Sequence, residues 1–264
     1  MNKAKKKETK MIYSGIPDLE HLEEWTALGV PFEYDDFMYP GILEQKEEVD
    51  RRVRAYLEAG RDTSRDTLHG PFLDITVHSS DRLIREASDY RLRQVCEIAM
   101  RMKVRGMIVH TNFIPNFYEP TYRQGWIDRN EEYFRRFMED YPDIDIYMEN
   151  MFDEEPDLLA ALAERMQGTR FSVCLDIAHA NISKTDVSVW QKLCDPYVSH
   201  YHINDNDGRI DAHLPLGSEE GTLDWRQVLP TLKPGVSVLI EVNSLEKYKK
   251  SREYLSLLEN SSYE

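Results

Sequence analysis

Nine side chains able to ligate a metal stand at or just beyond the ends of short β-rich runs. His69 lies in LHGPF, His110 ends MIVHTN, and Glu149 closes IYMEN. Asp176 sits in VCLDIAHAN with His179 three residues on, and His202 in SHYHINDND. Asp211 and His213 share DAHLPLG, and Glu241 ends LIEVN. Five of the eight histidines of the chain fall in this set. Each residue alone has an ordinary explanation: a hydrogen-bonded strand-end His, an Asp176 N-cap for the following IAHAN helix, glutamates paired with Arg. Together they are harder to explain that way, because several carboxylates sharing one pocket must be neutralised and bound divalent cations do so. Imidazole-plus-carboxylate ligation suits Zn²⁺, Mn²⁺, Fe²⁺ or Co²⁺, and the lack of Cys in the set argues against a structural zinc. An oxygen-only Ca²⁺ or Mg²⁺ cage fits so many imidazoles less well. The cofactor expected is one to three divalent ions, with Mg²⁺ kept among the candidates.

These residues need a scaffold that brings strand ends to one rim. Candidate strands are Met11–Ser14, Pro31–Tyr34, Thr67–Phe72, Gly106–His110, Asp145–Glu149, Phe171–Asp176, Val198–Ile203 and Ser237–Glu241. Helical periodicity separates them at Leu83–Met102, Asp128–Asp140, Asp157–Met166, Trp225–Leu232 and Leu245–Leu258. In the first of these, Leu83, Ala87, Leu92, Val95, Ile98, Ala99 and Met102 form an apolar stripe. Eight strands alternating with helices predict a (β/α)₈ TIM barrel, an α/β fold in a single domain over 11–264, after a basic tail at 1–10. The glycine-rich first turn of a doubly wound sheet is missing. Period-2 alternation places Cys174 and Asp176, His200 and His202, and Tyr147 and Glu149 on the inward faces of their strands. Polar residues at the carboxyl ends then mark the mouth of the barrel.

Composition narrows the function. The chain is 41% hydrophobic and carries a formal charge of −15. The first ten residues, MNKAKKKETK, hold +4, which leaves −19 on the remainder. Such a balance opposes nucleic-acid binding, where Lys and Arg must neutralise phosphates. No apolar run suits a membrane span or a signal peptide, and three scattered cysteines fit a reduced, cytoplasmic setting. A small-molecule sugar or sugar phosphate is the expected partner, with no nucleic acid and no membrane; an oligomer is compatible with the sequence.

The motifs HGPF, VHTN, MEN, CLDIAHAN, HINDND, DAHLPLG…GTLDW and IEVN make the chain resemble the xylose isomerase-like TIM-barrel superfamily, over residues 11 to 258. That group includes sugar (phosphate) isomerases and epimerases and also endonuclease IV. In the epimerase branch, the resemblance implies one cation held by Glu149, Asp176, His202 and Glu241, with Glu149 and Glu241 as the acid–base pair. In the endonuclease IV branch, it implies three zinc ions held by all nine residues, His69, His110, Glu149, Asp176, His179, His202, Asp211, His213 and Glu241. Ligand number favours the phosphodiester hydrolase; the acidic balance and the acidic EYDDFMYPG loop oppose its DNA-directed form. An isomerase or epimerase is therefore the first reading, a metal-dependent phosphoesterase the second, and a catalytically silent metal-binding barrel the third.

Other residues carry less specific signals. Asn150, Asn204 and Arg209 are candidates for substrate binding. His200 is expected to lie deeper than His202 and to support it. Tyr118, Tyr122 and Trp126 suggest an apolar wall or lid in a loop after the fourth strand, while His21 and His78 read as surface residues. Gly217 and Gly221 suit turns near the mouth.

Overall fold

The structure, a computed structural model, describes residues 11–261. The basic segment 1–10 expected as a tail lies outside the described residues. Eight strands run β1 (Ile12–Gly15), β2 (Glu33–Tyr34), β3 (Thr67–His69), β4 (Gly106–His110), β5 (Asp145–Glu149), β6 (Phe171–Asp176), β7 (Val198–Ile203) and β8 (Ser237–Ile240). They pair in parallel in the order β1-β8-β7-β6-β5-β4-β3-β2. A lone parallel bridge between Gly15 and Phe32, with Gly15 N donating to Pro31 O at 3.2 Å, draws the two edges together. The chain is a nearly closed (β/α)₈ barrel.

The intervening helices are α1 (Leu22–Ala27), α2 (Pro40–Leu43), α3 (Lys46–Glu58), α4 (Arg82–Met102), α5 (Pro120–Asp140), α6 (Asp157–Arg165), α7 (Ile177–Ile182), α8 (Val187–Cys194), α9 (Trp225–Val228) and α10 (Leu245–Ser261). Alternation along the strands sorts residues into two layers. Met107, Val109, Ile146, Met148, Val173 and Leu175 point outward into the main core beneath the helices. Ile108, Tyr147 and Cys174 form a separate small cluster, which fills the lumen. Trp25, Trp126, Trp190 and Trp225 are wholly buried. Cys96, Cys174 and Cys194 are free thiols and also buried; burial pushes Cys96 and Cys194 up to about 12 and raises Cys174 well above the usual thiol range. No helix among the described residues is long and apolar enough to cross a membrane.

Several expectations need correction. β2 keeps only Glu33 and Tyr34, since Pro31 has no N–H to donate to a ladder. β3 stops at His69: Gly70 donates to Ile108 O at 2.8 Å, so closely that a Cβ there would lie 2.4 Å from that oxygen, and Pro71 follows. Helix α5 starts eight residues earlier than expected, with Pro120 in its first turn and the Glu119 carboxylate accepting from Tyr122 N. Tyr122 and Trp126 are therefore helical, not parts of a loop. Trp126 is core, its Nε1 donating to Thr111 O at 3.2 Å, and Tyr118 stands half exposed beside Glu154; the three do not build a lid. On α4 the buried stripe begins at Ser88 and Leu92, leaving Leu83 and Ala87 exposed. Pro230 converts the end of the Trp225–Leu232 helix into a 3₁₀ turn. His78 is not at the surface. It is buried against Trp126, with ring centroids 6.0 Å apart, and burial with the nearby Arg129 pushes it down to about 4.

Candidate metal centre

Two rungs of the sheet set the site. His110 lies directly opposite Glu149 between β4 and β5, and Asp176 opposite His202 between β6 and β7. Each sits one inward position above the lumen residues Ile108, Tyr147, Cys174 and His200, which is why strand ends alone converge on the mouth. Glu241 follows β8 immediately, its N–H donating to Ile203 O at 3.0 Å.

Glu149 is the shared member. Its Oε2 lies 3.3 Å from His110 Nε2 and 3.6 Å from His69 Nε2. Its Oε1 lies 3.3 Å from both His179 Nδ1 and His202 Nδ1, and the latter is also 3.3 Å from Glu241 Oε2. Ligand atoms of Glu149, Asp176, His202 and Glu241 fall within 4.8 Å of one another, as do those of His69, His110 and Glu149. A third group forms beside them: Asp211 Oδ2 is 3.3 Å from His179 Nε2 and 2.8 Å from His213 Nε2. All nine residues expected at the mouth are brought together.

The chain that presents Asp211 and His213 is folded back by Asp205. Its backbone pairs with Leu214 in an antiparallel bridge, and its carboxylate accepts from Gly217 N and Trp225 Nε1. Gly221 packs so tightly there that a Cβ would sit 2.2 Å from the Asp205 carboxyl carbon. His213 is in turn tied to Glu241 O through Nδ1 at 3.0 Å, at a backbone φ of 44°.

Both Glu149 oxygens, Asp176 Oδ2, Glu33 Oε1 and both ring nitrogens of His202 are buried without a hydrogen-bond partner. Orphaned donors and acceptors of that kind are costly unless something fills the space between them. An arrangement of four carboxylates and five imidazoles with unused lone pairs fits a divalent cation. The electrostatics agree. Burial lifts Asp176 well above the usual carboxylate range, reinforced by Glu241, Glu149 and Asp211. Burial also opposes ionisation of Glu149, but the His202 and His110 imidazoles outweigh it and hold that group low.

Asn150, a substrate-binding candidate, faces Asp176 through its amide and accepts His179 Nδ1 at its carbonyl at 2.8 Å, so it braces two ligands. Asn204 is buried beside Glu241 at 3.5 Å, with its Oδ1 free. Arg209 is exposed in the loop, and its N–H donates to Asp207. His200 lies deeper, as expected.

Sequence reasoning missed two acids, Glu33 and Asp35. Glu33, on β2, is fully buried between His200 and His202, and Asp35, just past β2, carries a buried, unpartnered Oδ1. Burial, with Glu33 and Glu241 nearby, pushes Asp35 up to about 8. Their i, i+2 spacing in EYD was the available signal, obscured because the stretch read as an acidic loop.

A family model for xylose isomerase-like TIM barrels matches residues 27–258. The chain belongs to that family. Within the xylose isomerase-like fold, it is similar to the TTHB071 protein of Thermus thermophilus, solved after soaking with ZnCl₂: TM-score 0.76, 24% identity, 95% of this chain and 99% of that one covered. It is also similar to a D-tagatose 3-epimerase-like protein (TM-score 0.74, 20% identity, 95% and 97% covered). Endonuclease IV from Thermus thermophilus shares the fold at TM-score 0.62 and 19% identity, with 94% and 99% covered. The fold is thus shared with proteins named for sugar epimerisation and with one named as an endonuclease.

Proposed function

We propose that this chain is a metal-dependent isomerase or epimerase of an uncharged sugar. The observation that carries this reading is a cleft of about 1070 Å³ lined by Asp35, which follows β2, and by Asn243, two residues past Glu241, while the nine candidate ligands themselves do not line it. Asp18, Glu20, Glu24, Asp36 and Glu246 also face it, and its cations are spent: Arg51 and Arg52 pair with Glu48, Lys249 with Glu24. An acidic wall without an available cation repels phosphate and accepts polyol hydroxyls as hydrogen-bond donors.

Glu149, Asp176, His202 and Glu241 would hold the cation, which supplies polarisation of a sugar carbonyl and its neighbouring hydroxyl. Glu149 and Glu241 reach His202 Nδ1 equally, at 3.3 Å, and are both held as carboxylates. One takes the proton from the carbon next to the carbonyl. The other, or the same one, returns a proton to the neighbouring carbon or to the opposite face. Asn204 Oδ1 is free to accept a sugar hydroxyl.

The test incubates protein reloaded with Mn²⁺, Co²⁺, Mg²⁺ or Zn²⁺ with keto-sugars and sugar phosphates in D₂O. Deuterium entering next to the carbonyl of an uncharged sugar, and lost in Glu149→Gln and Glu241→Gln, supports the reading. No exchange with any sugar defeats it.

A second reading, a multinuclear phosphoester hydrolase, is favoured by the sharing of Glu149. Each of its oxygens faces two imidazoles, as suits a carboxylate between cations, and the His179–Asp211–His213 group adds a third locus. Three bound ions per chain, with phosphate-ester cleavage dependent on His69 and His110, would establish it instead.

A further inference from the structure

Glu33 takes no part in the chemistry above, yet it is wholly buried in the lumen and reaches from β2 to β7. Its Oε1 lies 3.1 Å from His202 Nε2, and its Oε2 lies 3.3 Å from His200 Nε2. Thr67 Oγ1 donates to that second oxygen at 2.6 Å, and His200 Nδ1 is fixed against the Ser237 hydroxyl. Thus Thr67 holds Glu33 by the oxygen away from His202, with His200 packed against that same oxygen.

The two nitrogens of His202 face opposite ways. Nδ1 lies in the ligand group, 3.3 Å from Glu149 and from Glu241, whereas Nε2 lies 3.1 Å from Glu33 Oε1, and neither His202 nitrogen nor that Glu33 oxygen has a hydrogen-bond partner. A neutral imidazole ligates only through the nitrogen without a proton, so the other nitrogen must carry the hydrogen, and an acceptor there fixes which tautomer forms. Without such an acceptor, Nδ1 can itself be protonated, and its lone pair is lost to the cation.

We propose that Glu33 is the positioning residue of the metal centre: it accepts the Nε2 proton of His202 and so keeps the Nδ1 lone pair directed at the cation. This rests on metal binding at Glu149, Asp176, His202 and Glu241, and not on which of the two reactions follows.

The experiment compares wild type, Glu33→Gln and Glu33→Asp. Zn²⁺ affinity is measured by chelator competition, and the His202 tautomer by long-range ¹H–¹⁵N NMR on the zinc-loaded protein. Glu33→Gln presents an amide that can offer His202 an N–H where an acceptor is needed. Its expected effect is a loss of affinity of about 10–100-fold, with thermal unfolding close to wild type, and Glu33→Asp restores part of the loss. The wild-type His202 should carry its proton on Nε2, a measurement that stands even where a variant does not fold. Equal affinity in wild type and Glu33→Gln, or a proton on Nδ1 in wild type, overturns the assignment while leaving metal binding intact. Cys174, His200 and His202 also bring ligand atoms within 4.8 Å of one another, so an ion removed by Cys174→Ser overturns the assignment by placing a cation on the Nε2 side. Failure of wild type to bind Zn²⁺ brings down the metal reading as well.

Discussion

The Asn150 side chain grips the backbone of Asp176 from both sides: Oδ1 accepts from Asp176 N and Nδ2 donates to Asp176 O, each at 2.9 Å. This mimics one more rung of the sheet between β5 and β6 beyond Glu149, and it fixes a ligand without touching its carboxylate. Asn150→Asp removes the donor and adds a charge among carboxylates. Metal affinity should fall about 10–100-fold, with a stability loss of roughly 1–3 kcal/mol. Chelator competition and urea unfolding check it; an unchanged affinity would show the clamp to be dispensable.

Asp176 pulls in two directions. Its Oδ1 caps α7 by accepting from His179 N at 2.8 Å, while its charge is disfavoured by burial and by Glu241, Glu149 and Asp211. A carboxyl group raised in the fold above its unfolded value destabilises the folded state once pH exceeds the unfolded value. Asp176→Asn keeps the cap and drops the charge. In EDTA at neutral pH the variant should be about 1 kcal/mol more stable, a Tm rise of roughly 2–4 °C. It should gain no further stability from added Zn²⁺. A lower Tm in EDTA would count against repulsion at this position.

Duplex DNA should bind negligibly at physiological salt. The acidic cleft and the net charge of −15 set this expectation. Fluorescence anisotropy with a duplex containing an abasic site is the direct check. Micromolar binding with cleavage at that site would move the second reading ahead of the first.

His78 provides a pH dependence remote from the metal centre. Its folded value, about 4, lies below the unfolded 6.5, so the unfolded chain takes up the proton first as pH falls. The neutral ring's contribution is complete above 6.5 and is lost between 6.5 and about 4, by up to roughly 3 kcal/mol. His78→Gln should therefore cost stability at pH 7 and progressively less toward pH 4. A stability difference that stays constant across urea titrations at pH 7, 6, 5 and 4 would contradict this.

The mouth of the barrel was readable because strand geometry leaves little freedom there. A period of two and parallel pairing force His110, Glu149, Asp176 and His202 onto adjacent inward positions once their strands are found. Tertiary context decided what the pattern did not carry. β2 is only two residues long, so the i, i+2 spacing of Glu33 and Asp35 was too short a run to stand out as strand alternation. Trp126 looked available in a loop until Glu119 and Pro120 started α5 early and sent it into the core. His78 gave no hint of burial, because the residues that cover it, Trp126 and Arg129, arrive from a helix some fifty positions later.

The three sequestered cysteines make the chain its own reporter of opening. Cys96 sits on α4, Cys174 in the lumen and Cys194 at the end of α8, so they sample two sites in the helix layer and one in the lumen. None can form a reactive thiolate while enclosed, and a disulfide reagent at pH 8 must wait for the surrounding structure to part. The pace at which each thiol is labelled becomes a clock for its own region. Zinc should slow the clock of Cys174, which lies one inward position below Asp176 and on the rung of Glu149, more than that of Cys96 on the outer helix layer.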